Sequence, residues 1–169
     1  EDFDRAQAAN QNAHRLSIAW SRIQPEPDRW DEDALDRYRE MMTGLVSRKM
    51  TPMVTLHHFS EPLWVAEMGG WENEAVPDLF AAFVRKAVEA LMPYCNLWVT
   101  INEPNVFAYG AYLEGNFPPG KQDLKTAVRV MGQMVRAHAR AYHAIHELQP
   151  ESRVGIALNV RGFKPATWS

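Results

Sequence analysis

Apolar, strand-forming residues gather in four short runs: RLSIAW (15–20), PMVTLH (52–57), LWVTI (97–101) and RVGIALN (153–159), each bounded by polar residues, Pro or Gly. Between them apolar positions recur at helical spacing. Leu35, Tyr38, Met42 and Leu45 mark a helix over 32–48, and Leu79, Phe83, Ala87 and Leu91 mark another over 78–92 after the start signal Pro77-Asp78. A longer helix over 123–148 carries the stripe Met131, Met134, His138, Tyr142, Ile145 and Leu148, and Pro150 marks its end. A further helix is expected over 2–12. Strands alternating with helices, with connections long enough for crossovers, describe a parallel α/β sheet. It is either an open doubly wound sheet or part of a (β/α)8 barrel.

Polar residues collect where these strands end: Arg22 past the first, His57 and His58 at the second, Asn102 and Glu103 at the third, Asn159 at the fourth. In a barrel that face carries the active site. The glycine-rich phosphate fingerprints of nucleotide-binding folds are missing, since neither GGW nor PPGK has their spacing or their strand-to-helix placement. Glu103 stands out within WVTINEPNVF. A carboxyl group at the mouth of an apolar strand, between Trp98 and Phe107, is partly desolvated, which favours the protonated form that can donate a proton. A helix-capping or ion-paired glutamate would look the same in sequence. Asn102 beside it suits either a substrate hydroxyl or a turn.

Composition narrows the classes. The 169 residues are 46% hydrophobic, enough for one globular unit with a core, and the net charge of −3 (pI about 6.1) with scattered Lys and Arg excludes a nucleic-acid footprint. The single cysteine, Cys95, supports no disulfide framework and points to a buried thiol in a reducing compartment, hence the cytoplasm. There is no 18-residue apolar run to span a membrane. The chain begins on Glu1 within an expected helix, as a piece of a longer chain would. No metal site is expected: His57 and His58 should point to opposite faces, and His138, His143 and His146 sit on an ordinary solvated helix. Phe59, Trp64, Trp71, Phe107, Tyr109, Tyr112 and Phe117 lie near the polar strand ends. Rings that stack on sugar faces beside amides and imidazoles that bind hydroxyls suit a carbohydrate, with Phe59 and Asn159 among the expected substrate-binding residues. Trp71 and Phe117, in loops with Gly and Pro, are the least expected in a core.

RLSIAWSRIQP, PMVTLHHFSEPLW followed by GGW, WVTINEPNVFAYGAYLEGNFPPG and AHARAYHAI resemble, in this order and at these separations, the family 1 glycoside hydrolases, β-glucosidase-like (β/α)8 barrels. The resemblance covers nearly the whole chain. It implies that Glu103 is the general acid/base, that Asn102 holds the sugar 2-hydroxyl, that His58 binds glycone hydroxyls, and that Arg15 neighbours the nucleophilic carboxylate. No cofactor is implied. Leu16 stands where Phe is frequent in that family, and Ser60-Glu61 where Asp-Leu or Thr-Leu is usual. Family members are more than twice this length. The four strands resemble the second through fifth of eight, so the first strand's Gln, the seventh strand's nucleophilic Glu and the glycone-binding Trp and Glu near the eighth have no counterpart here. Residues 1–169 are therefore expected to form one partial barrel domain, about half a barrel, of a retaining β-glycosidase acting on β-glycosides, inactive alone and of open oligomeric state. Two other readings stay open: a non-catalytic sugar-binding half-barrel, and another retaining glycosidase family with the same barrel.

Overall fold

The computed structural model describes residues 1–160 together with Gly162, Lys164 and Ala166. Strands β1 (Ala13–Ser17), β2 (Thr51–His57), β3 (Leu97–Asn102) and β4 (Arg153–Ala157) form one parallel sheet in the order β1-β2-β3-β4. Helices α1 (Asp2–Ala8), α2 (Trp20–Ile23), α3 (Glu32–Ser47), α4 (Leu63–Glu67), α5 (Val76–Leu91), α6 (Pro104–Tyr109) and α7 (Leu124–Leu148) fill the connections, with a 3-10 turn at Gly70–Glu72 and a π-helical turn at Gly110–Glu114. The sequential strand order settles the choice left by the sequence. A doubly wound sheet reverses its order at a switch point, whereas here every strand pairs with its neighbour in the chain, as in a barrel wall.

Each long helix has a local start signal, a side-chain cap in α3 and α7 and a proline in α5. The Asp31 carboxylate accepts from the Ala34 amide at 2.9 Å to open α3, and Asp123 accepts from the Thr126 amide at 2.8 Å to open α7. In α5, Pro77 occupies the first turn, where its missing N–H costs nothing. The core lies between the sheet and these helices: Val54, Leu56, Phe80, Phe83, Val84, Val88, Met134 and Ile145 are fully buried. Among the described residues no helix is long and apolar enough to cross a membrane.

Four expectations change. The first strand starts two residues early and stops at Ser17, because Trp20 turns inward to stack on Phe83 (5.3 Å, 19°) and opens α2, which leaves Arg22 exposed on that short helix and away from the strand ends. Helix α1 ends at Ala8, short of residue 12. Of the expected stripe on α7, Met134 and Ile145 are fully buried and Met131, His138 and Leu148 half-buried, but Tyr142 is exposed, and the rest of the buried face is Ala127, Val130, Gln133, Ala137, Ala141 and Ala144. Small residues along that seam let α7 approach α5 closely, and a hydrophobicity pattern weighted toward bulk does not register them. Trp71 is fully buried against Phe80 and His57, so it belongs to the core and not to a sugar platform.

Candidate active site

Parallel strands place their C-terminal ends on one rim, and three strands there are joined by one side chain. Arg15 of β1 donates from Nε to Thr55 Oγ1 of β2 at 2.8 Å and from Nη2 to Asn102 Oδ1 of β3 at 2.5 Å. Asn102 is 5% exposed, so the guanidinium fixes the orientation of a nearly buried amide and leaves its Nδ2 free of that bond. Next along the rim, Ser17 Oγ and His58 Nδ1 lie 2.8 Å apart, which orients the exposed His58 ring with Nε2 outward. The sequence reading missed Ser17 and Thr55. Their only signal was polar alternation within β1 and β2.

Glu103 follows at the point where β3 ends. Its backbone is left-handed (φ 45°, ψ 57°), a conformation costing a non-glycine residue about 1–2 kcal/mol. Pro104 explains part of the choice, since a following proline disfavours the right-handed region, and it starts α6 at once. The Glu103 carbonyl accepts from the Val106 and Phe107 amides, both at 3.0 Å, so the main chain caps α6 and the side chain makes no cap bond. Among the described residues the carboxylate makes no ion pair. Both ordinary roles weighed for this glutamate are thus absent. Its recorded side-chain partner is Asn159, whose Nδ2 donates to Oε1 at 3.3 Å. Asn159 is in turn gripped by Asn105, a residue the sequence reading passed over because nothing in its spacing marks it.

His57 and His58 point apart, as strand alternation requires. His57 is 1% exposed, ringed by Trp71, Phe80 and Phe107, with neither nitrogen hydrogen-bonded; burial, helped by His58, pushes it down to about 3. It is a neutral core residue. Phe59 has φ 66°, stacks on Phe107 (6.2 Å, 19°) and meets Phe117 at a tilt (5.7 Å, 32°), so it forms an aromatic wall beside His58. Phe117 lies so close over Gly110 that a Cβ there would stand 2.8 Å from the ring. Among the described residues no group of His, Cys, Asp and Glu could hold a metal.

Behind Phe59 a cleft of about 550 Å³ is lined by Glu61, Phe107, Tyr112, Pro118 and Pro119. Burial pushes the Glu61 carboxyl up to about 7, with the nearby Trp71 indole acting in the opposite direction, and neither Glu61 Oε2 nor Trp71 Nε1 has a hydrogen-bond partner among the described residues. Burial and the charges of Glu61 and Glu72 push the Tyr112 hydroxyl well above its usual range.

Known proteins resemble this chain over nearly its whole length. The model of glycosyl hydrolase family 1 matches residues 1–169. β-Glucosidase A of Thermotoga maritima is 34% identical over 168 residues, covering 99% of this chain and 38% of the relative, and human lactase/phlorizin hydrolase is 35% identical over 158 residues, covering 92% and 8%. The 6-phospho-β-galactosidase of Clostridium acetobutylicum is 32% identical. The solved β-glucosidase from Thermotoga maritima in complex with castanospermine superposes at a TM-score of 0.95, covering 98% of this chain and 38% of that one. The chain thus spans well under half the length of these β-glucosidases, and its four-stranded sheet corresponds to part of their (β/α)8 barrel. With the family model matching residues 1–169 and the strand order of a barrel wall, the chain belongs to glycosyl hydrolase family 1.

Proposed function

We propose that this chain is one partial (β/α)8 domain, residues 1–169, of a retaining β-glycosidase that hydrolyses β-linked glycosides, with Glu103 as its general acid/base. The observation that carries the reading is the Glu103 carboxyl. It is held at the mouth of β3 on a strained backbone, yet it is used neither to cap a helix nor to pair with a cation. Backbone strain clusters at functional positions, and here it accompanies a carboxyl with no structural use of its own. In this reading Glu103 protonates the departing glycosidic oxygen and then takes a proton from the attacking water. Asn102, oriented by Arg15, offers Nδ2 and its remaining oxygen lone pair to a sugar hydroxyl, and His58 offers Nε2 to others. Phe59 supplies an apolar wall, and Asn159 meets substrate beside the acid.

Retaining chemistry needs a second carboxyl group roughly 5 Å away as nucleophile. That group comes from outside these residues, where Arg15 helps keep it ionised. The chain's similarity to β-glucosidases and to a 6-phospho-β-galactosidase supports a β-glycoside as substrate. Protonation and carboxylate attack need no metal or organic cofactor. Cys95, buried and pushed up by burial, fits a cytoplasmic protein.

The test is Glu103→Gln in a complete barrel carrying this chain, built with its natural remainder or with the matching remainder of the Thermotoga maritima enzyme. Hydrolysis of alkyl glycosides should fall by about 10²–10⁴ while the first step on dinitrophenyl glycosides, which need no protonation, survives. Equal loss of that step on both substrates removes Glu103 from the acid role.

A further inference from the structure

β3 and β4 run as parallel partners up to Glu103, whose amide donates to the Ala157 carbonyl at 2.7 Å. The left-handed turn at Glu103 then takes the main chain away into α6, and the chain beyond Ala157 loses its backbone rung. Asn105 replaces it. Its Nδ2 donates to the Asn159 carbonyl at 2.7 Å, and its Oδ1 accepts from the Asn159 amide at 3.4 Å. A primary carboxamide presents an acceptor and a donor much as a peptide unit does, so one side chain continues the ladder past the end of β3. Ala157 and Asn159 are two residues apart, the spacing at which an extended chain presents the same edge. Only one orientation of the Asn105 amide satisfies both partners. With its backbone held in register, Asn159 reaches Glu103 Oε1 with Nδ2 at 3.3 Å.

We propose that Asn105 is a positioning residue for Glu103. By extending the β3–β4 ladder it holds Asn159, whose amide occupies Oε1 and leaves Oε2 to carry the proton exchanged with substrate and water. The inference rests on the acid/base reading of Glu103. A general acid works only when its proton lies along the line to the leaving oxygen, and a glutamate carboxyl at the end of a strand has three side-chain torsions free to lose that line. The relay Asn105–Asn159–Glu103 removes that freedom without placing Asn105 against substrate.

The experiment measures kcat/KM in the complete barrel for a series of glycosides graded by leaving-group ability. Asn105→Ala should lower it about 10-fold for alkyl glycosides and by less than about 2-fold for dinitrophenyl glycosides, because only the former draw on the acid. Asn159→Ala, which leaves the Asn105 rung unused but intact, should show the same graded loss. The double variant should lose little more than either alone, as two links of one relay require. Thermal melts of each variant separate misfolding from mispositioning, and Asn159→Ala carries the test if Asn105→Ala fails to fold. A loss equal for all leaving groups, or additive losses in the double variant, overturns the relay. Glu103→Gln in the same series keeps the two claims apart. A graded collapse there with flat responses at Asn105 and Asn159 overturns the positioning role alone, and a flat response there overturns the acid/base reading and the relay with it.

Discussion

The inner strands and the outer strands are built to different standards. In β2 and β3 the last residues are buried, from Val54 to His57 and from Thr100 to Asn102, whereas no residue of β1 or β4 is more than half-buried. The helices repeat the contrast. α5, between α3 and α7, buries nine of its 16 residues, while α7 has Leu124, Val128 and Val135 more than half exposed among the described residues. The inner pair is finished and the outer pair waits for partners. The site straddles this boundary: Asn102 and Glu103 end an inner strand, and Arg15 and Asn159 reach them from the two outer ones.

The largest consequence concerns the chain alone. Two strand edges with unpaired backbone groups and an uncovered apolar helix face should drive association. Sedimentation velocity of the 169 residues should show concentration-dependent oligomers, with no aryl-glucoside turnover because one carboxyl of the required pair is absent. A monodisperse, cooperatively melting monomer would erase the inner–outer contrast. Within the complete barrel, Leu56→Ala at the fully buried centre of β2 should cost about 2–5 kcal/mol, and Leu16→Ala on half-buried β1 clearly less, read from denaturant midpoints.

Two buried titrating groups sharpen the contrast by pH. His57, held down to about 3 in the fold against 6.5 outside it, contributes stability that is present above pH 6.5 and lost as pH falls toward 3. Glu61, raised to about 7 from 4.5, contributes stability that is present below pH 4.5 and lost as pH rises through 7. Thermal melts across pH 4–8 should therefore show Glu61→Leu flattening the alkaline decline and His57→Phe flattening the acidic one. Unchanged slopes would mean that water reaches these groups. A smaller effect than at Leu56 is expected at Arg15 on the outer strand. Arg15→Met should cost about 1–3 kcal/mol, since it leaves the nearly buried Asn102 Oδ1 and the buried Thr55 hydroxyl without their donor. It should also raise the acidic limb of kcat/KM by removing the positive charge beside the nucleophile.

What could be read from the sequence follows the same boundary. The buried strands and the bulky seams of α3 and α5 were legible because period-2 and period-3.6 burial leave large apolar residues at fixed spacing. The alanine seam of α7 was not, because close packing there selects for small size. At the site, Glu103 and Asn102 could be singled out by polar residues interrupting an apolar strand, and Arg15 and His58 through the family motifs around them. Ser17, Thr55 and Asn105 were invisible, since their roles arise from pairings across 41, 40 and 54 residues that no local pattern encodes. Trp71 misled because a loop of glycines suggests exposure, whereas this loop folds its indole under α5.

The most direct measurement takes Glu103→Ala in the complete barrel, supplies sodium azide with a dinitrophenyl β-glycoside, and identifies the product. An anionic nucleophile needs no base, so if Glu103 is the acid/base of a retaining enzyme, azide should restore turnover and yield the glycosyl azide of β configuration. Turnover indifferent to azide, or a product of α configuration, would contradict the account.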